Sequence, residues 1–348
     1  MLADQLDYVV GVDPHRDRHA IAVVRAVSGA VVFEATVSAS SEGYSQLVSL
    51  AERRAVGRRA FAIEGTGSYG KGLVRFLADR GERVLEVGRI RRDRSSGAKT
   101  DALDAVRAAR SVLAEAKPSE PRAGGRREAL RALTVAREGS LAAKRAGLCQ
   151  LRDLVVTCPE PLRSELRTLT RARLLRRLQA VRPERRRHDP ELRGTLLALR
   201  AVARRVQQLT LEERELKHEI EALALELAPQ LLAEPGVGPV AAAQLLLSWS
   251  HPGRLRSEAA FARLAGCAPL PASSGKTIRH RLDRGGDRQL NRALHTIIMI
   301  RRTIHPPTAR YIDRRISEGK TSREATRCLK RYLARHLYRK LEATPLPT

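Results

Sequence analysis

The stretch VVGVDPHRDRHAIAVV, from Val9 to Val24, constrains this chain most. Two runs of valine, isoleucine and alanine flank a polar turn, the pattern of two strands in a hairpin. The first strand carries a carboxylate, Asp13, among apolar residues. Burying an acid in a strand is costly unless it is paired, hydrogen-bonded or bound to a cation. The competing reading is a turn aspartate placed before Pro14. Two later segments favour the first. FAIEGTGSYG sets Glu64 at the end of another apolar run, and KTDALDAVRAAR sets Asp101 and Asp104 at the start of a helix. Acids three apart on a helix share a face.

Four acids on strand, strand, helix and helix resemble the set that holds two divalent metals for phosphodiester chemistry in RNase H-like folds. Hard oxygen ligands suit Mg2+, with Mn2+ as the alternative. Two such ions, roughly 3.5 to 4 Å apart, stabilise both the attacking and the leaving oxygen of an in-line displacement.

The 348 residues allow two or three domains. Lys and Arg total 65 against 38 Asp and Glu, a net charge of +27 that points to a polyanionic partner. Cys149, Cys158, Cys267 and Cys328 are scattered, without CxxC spacing and without a secretory leader, which argues against a zinc site and a disulfide framework. No apolar run approaches the roughly 20 residues that span a bilayer. The basic residues are spread along the chain rather than gathered on one amphipathic anchor. The expectation is a cytoplasmic, nucleoid-associated protein with no membrane partner.

Residues 1–112 alternate strands and helices, as in a mixed sheet flanked by helices. After the hairpin come the strand VVFEATV, the helix SEGYSQLVSLAERR, the strand FAIEG, the helix YGKGLVRFLADRG and the strand RVLEVG. The basic loop RIRRDRSSGAKT, with Lys99, then leads to Asp101; its charges suit nucleic acid or a solvated loop. Residues 113–230 read as a linker followed by a helical, coiled-coil region. Leu199, Val202, Val206, Leu209, Glu213, Leu216, Ile220, Leu223 and Leu227 form a heptad seam with one polar member. It can pair with the helix over 127–156, with a second copy, or with a globular core.

Residues 231–348 form a mainly helical third region. EPGVGPVAAAQLLLSW is similar to a helix-hairpin-helix element, in which Gly236 and Gly238 would bring backbone N–H groups to a phosphate; an ordinary turn before a core helix competes. A loop with two serines and a glycine then carries Lys276, Arg279, Arg281, Arg284 and Arg288. From Lys276 to Lys340 there are 19 Lys or Arg against 5 Asp or Glu, the strongest concentrated nucleic-acid footprint in the chain. Leu290, Leu294, Ile297, Ile298 and Ile304 give one helix an apolar stripe, and Thr321 with Glu324 makes a capping box for the last. A serine among cations can act as a nucleophile, since the cations stabilise its alkoxide and the phosphate it attacks; serines in such loops also serve as plain turn residues. His15, His19, His280 and His295 divide in the same way between a chemical role and none; for His280 the readings are proton transfer, a phosphate contact or simple exposure.

In combination, GVDPHRD, EGTGSYG, KTDALDA, EPGVGP, and LAGCAPLPASSGKT followed by RGGDRQLNRAL resemble the DEDD transposases of insertion sequences, relatives of the Piv DNA invertase. The resemblance covers nearly the whole chain. It implies an N-terminal RuvC-like domain, a coiled-coil connection and a C-terminal transposase domain with a serine. The acidic set maps to Asp13, Glu64, Asp101 and Asp104. The serine maps to Ser274, which precedes Gly275, with Ser273 as the competing choice. It further implies a homo-oligomer, dimer or tetramer, in which the acids of one subunit and the serine of another form a composite centre, and a structured bridge RNA that pairs with target and donor DNA.

The function expected is that of a Mg2+-dependent DNA recombinase that moves its own element through a covalent serine–DNA intermediate. Lys99 and the basic C-terminal residues would position strands by phosphate contact. Two alternatives remain: a hydrolytic RuvC-like nuclease or junction resolvase, and a non-catalytic nucleic-acid-binding protein.

Overall fold

The computed structural model describes residues 2–88, 100–186, 188–272, 280–281, 283 and 285–343. The chain forms two compact units, 1–124 with 253–256, and 125–252 with 257–348. The helices of the expected middle region share the second unit with the C-terminal helices.

In the first unit, β1 (Tyr8–Pro14), β2 (Arg18–Arg25) and β3 (Val31–Ser38) form an antiparallel meander, followed by α1 (Ser41–Arg54). β4 (Arg59–Glu64), α2 (Lys71–Ala78) and β5 (Val84–Val87) add two strands parallel to β1, and α3 (Asp101–Leu113) closes the unit. The sheet order is β3-β2-β1-β4-β5. This mixed α/β arrangement, followed by a mainly helical remainder, agrees with the expected RuvC-like fold class.

Strand parity sorts the side chains. Val10, Val12, Ile21, Val23, Phe61 and Ile63 pack with Leu47, Val48, Ala51, Leu73 and Leu77 on the face covered by α1 and α2. The other face carries small residues: Gly11 on β1, Ala20 and Ala22 on β2, and Ala60 and Ala62 on β4. There α3 lays down Ala105, Ala108 and Ala109. The fit is close, because a Cβ on Gly11 would stand 2.0 Å from the Ala105 carbonyl oxygen. Small side chains on both partners thus fix α3 across β1.

In the second unit, α4 (Gly125–Thr157) and α7 (Pro190–Leu227) run antiparallel as a long hairpin. The pairings Arg126–Glu226, Arg137–Glu213 and Arg205–Gln150 descend one helix as they ascend the other. The seam therefore pairs within the chain. Leu199, Val202, Val206, Ile220 and Leu227 are buried. The polar seam member, Glu213, accepts from Arg137 at 2.6 Å with both side chains largely covered. Breaking a covered pair strands the surviving charge. Arg137→Ala is expected to cost about 1–3 kcal/mol in urea unfolding of the full chain. Arg137→Met with Glu213→Leu should recover most of that loss.

The short helices α5 (Leu162–Arg167) and α6 (Arg171–Gln179) pack Leu166 and Leu178 against Leu151, Val155 and Leu199 of the hairpin. After α8 (Pro229–Leu232) comes α9 (Pro239–Trp249), buried from Leu245 through Trp249. Then follow α10 (Glu258–Leu264), the two-residue strands β6 (Leu270–Pro271) and β7 (His280–Arg281), α11 (Arg288–Ile304), α12 (Pro306–Ser317) and α13 (Ser322–Glu342). The capping box of Thr321 and Glu324 opens α13 as expected. Leu290, Leu294, Ile297 and Ile298 are buried along α11, whereas Ile304 is 59% exposed. Ile304 closes the helix, and the chain turns at His305 into α12, so the stripe stops short of it.

Candidate active site

Asp13 sits near the end of β1, opposite Ala20 of β2. β1 and β4 run parallel in the register Val12 with Ile63, so Asp13 and Glu64 leave neighbouring strand ends. Their parity is that of Gly11 and Ala62, which directs both toward the α3 face. Thr100 caps α3, its hydroxyl accepting the Leu103 N–H at 3.3 Å. This cap places Asp101 and Asp104 in the first turn, where the helix dipole favours negative charge.

The imidazole of His15 joins two of these acids. Its Nε2 lies 3.2 Å from Asp13 Oδ2 and 3.4 Å from Asp101 Oδ1. Asp13, His15 and Asp101 each bring a ligand atom within 4.8 Å of the other two. Asp104 stands beside them and is held by Arg107 at 2.8 Å, while Arg18 approaches Asp101 at 3.8 Å. Glu64 and Asp104 are outside the close trio among the described residues. Burial, above all, pushes the Asp13 carboxyl above the ordinary aspartate range; His15 opposes the shift, and Asp104 and Asp101 add to it. Burial thus disfavours the charged form of this carboxyl relative to an exposed aspartate.

Asp13, His15 and Asp101 are a group that could hold a metal ion, and strand register and helix position put Glu64 and Asp104 on the same face of the sheet. His15 was readable in principle. It stands two residues after Asp13, the spacing that returns to the same side of an extended chain. His19 takes the opposite side: fully buried, it stacks on Tyr44 with ring centroids 5.6 Å apart, and burial lowers its pKa.

The remaining candidates, basic residues, serines and glycines, fall in several places. Lys99, Ser273, Ser274, Lys276, Arg279 and Arg284 lie outside the described residues. Arg281 is exposed on β7, and Arg288 is the exposed first residue of α11. Arg281 also lines a cavity of about 610 Å³ with Lys320, Arg327, Lys330 and Arg331. Lys330 Nζ donates to Asn291 Oδ1 at 2.9 Å there. Gly236 adopts φ +74°, and a Cβ on it would stand 3.1 Å from the Ile297 carbonyl oxygen, so its close approach is to α11. Gly238 has open space around its Cα and precedes α9 without a side-chain cap.

Residues 10–159 match the DEDD domain of IS110-type transposases, described as Transposase. Residues 228–313 match the Transposase IS116/IS110/IS902 family. The first match contains all four acids, and the second contains both glycines and the serine-bearing loop. The chain is also similar to the Insertion element IS110 uncharacterized 43.6 kDa protein of Streptomyces coelicolor, 37% identical over 117 residues. That alignment spans 33% of this chain and 29% of the relative. With both domains present in order over about two thirds of its length, the chain belongs with the IS110-type insertion-sequence transposases.

Proposed function

We propose that this chain is a DNA transposase whose acidic centre, built on Asp13, Glu64, Asp101 and Asp104, works with divalent metal to cut and rejoin DNA. The observation that carries this reading is the meeting of Asp13 and Asp101 on either side of His15, where β1 ends and α3 begins. Divalent cations bound there would stabilise charge on the attacking and leaving oxygens of an in-line displacement. The chain's own contribution is preorganisation. The alanine seam fixes α3, Thr100 fixes the first helical turn, and burial with neighbouring acids raises the pKa of Asp13, which a bound cation would lower again.

Ser274, or Ser273 beside it, is the proposed nucleophile, a role supported by the sequence pattern alone. Its Oγ would form a bond to phosphorus as the bond to the departing strand oxygen breaks, leaving the phosphodiester on the protein. Arg281 and Arg288, both exposed, would hold backbone phosphates. The net charge of +27 suits both DNA and the structured guide RNA implied by the resemblance. Assembly as a dimer or tetramer, Mg2+ or Mn2+ as the metal, and a place beside the nucleoid complete the proposal.

A radiolabelled element-end DNA tests the serine step. Wild type with metal is expected to leave a protein–DNA adduct that survives denaturing electrophoresis. Ser274→Ala should abolish the adduct and Ser273→Ala should retain it; the reverse result moves the nucleophile by one residue. Cleaved DNA without any adduct would contradict the covalent step and favour the hydrolytic nuclease.

A further inference from the structure

We propose that His15 is itself a metal ligand, and that it tunes the centre toward first-row transition cations such as Mn2+ and away from Mg2+. The inference rests on the metal-binding part of the proposed function and goes beyond the four carboxylates.

The geometry points this way. A ligand shell with bonds of about 2.1 Å at right angles separates adjacent donor atoms by about 3.0 Å. His15 Nε2 stands 3.2 Å from one carboxylate oxygen and 3.4 Å from another, and those oxygens belong to different elements, β1 and α3. One ring nitrogen thus faces two acids at once, at spacings a shared cation would impose. An imidazole proton on Nε2 has a single direction and serves one oxygen well; a cation in its place is met by all three donors. The ring is 44% exposed, Asp101 38% and Asp13 17%, so the cage opens toward solvent.

The chemistry then sets the preference. Carboxylate oxygens alone suit Mg2+, Ca2+ and Mn2+ alike, whereas an imidazole nitrogen favours transition ions over Mg2+. Replacing one oxygen of the shell by His15 Nε2 therefore raises affinity for Mn2+ relative to Mg2+. The same residue explains why the close trio is Asp–His–Asp rather than three acids.

The test uses the full chain and Mn2+ as a spectroscopic probe, in the absence of DNA. Wild type is expected to bind Mn2+ with nitrogen modulation in its pulsed electron paramagnetic resonance spectrum. His15→Ala and His15→Gln should lose that modulation, and competition with Mg2+ should show the Mn2+ preference falling about tenfold or more. Circular dichroism establishes that both variants are folded. Bound Mn2+ without nitrogen modulation in wild type would overturn the assignment while leaving the acidic metal site intact. So would His15→Ala with unchanged selectivity, or with tighter binding of both ions, the behaviour of a counter-ion that metal must displace. Failure of wild type to bind any divalent ion would overturn this inference together with the metal reading it rests on; Mn2+ bound equally by wild type and Asp13→Ala would place the ion elsewhere.

Discussion

Gly11→Val is expected to unfold or loosen the first unit and, with it, to abolish any activity of the acidic centre. The added Cβ would stand 2.0 Å from the Ala105 carbonyl oxygen, 2.9 Å from Ala109 Cβ and 2.9 Å from the Ala109 nitrogen. None of these is the free end of a flexible side chain, so α3 itself has to move. Overpacking of that kind costs about 3 kcal/mol or more, a large share of a typical domain's stability. The functional consequence follows from the same contact. The first turn of α3 carries Asp101 and Asp104, and displacing the helix takes them away from Asp13 on β1. Gly67→Ala is the matched control, because nothing lies within 4 Å of the Cβ it would add. Urea unfolding of the two variants checks the contrast; a Gly11→Val chain as stable as wild type would contradict the proposed role of the seam.

Asp13→Asn should separate stability from activity. The Asp13 carboxyl titrates above its ordinary value because it is buried and faces Asp104 and Asp101, despite the opposing pull of His15. A carboxyl whose folded pKa is raised binds protons more readily in the folded chain than in the unfolded one. As pH rises from the ordinary aspartate value through the raised one, its ionisation therefore subtracts from stability, and the loss is complete above the raised value. Asparagine removes that charge. In chelator at pH 7 the variant is expected to melt above wild type, and the difference should vanish at a pH below the ordinary aspartate value. Divalent metal should reverse the order, since a ligand that binds only the folded chain adds about 2.7 kcal/mol at a hundred times its dissociation constant. Activity should fall by about a hundredfold to a thousandfold, on the scale of removing a group that stabilises transition-state charge. Calorimetry across pH, with and without Mg2+, checks both signs.

Much of the first unit was legible because strand parity and helix spacing report which face a residue takes. Asp13 and Glu64 fall on the small-residue face for the same reason that Val10 and Phe61 fall on the other. Asp101 and Asp104 were legible from their spacing in α3. Periodicity does not name the partner, however. The heptad seam from Leu199 to Leu227 allows a neighbour in the chain or in a second copy, and only the opposing charges of α4 reveal the intramolecular hairpin. Gly236 is similar: its sequence announces a close approach, yet the surface approached is α11. His15 was harder to assign because a polar turn is where an exposed histidine is expected. Its relation to Asp101 depends on packing between residues 86 positions apart in sequence.

The most direct measurement is excision of the element in cells carrying the gene with its native flanking DNA, scored as the circular junction. Wild type is expected to yield the junction, while Asp13→Ala and Asp101→Ala, each present as folded protein, are expected to yield none. Junctions formed by either acid variant at the wild-type level would contradict catalysis by the acidic centre at β1 and α3.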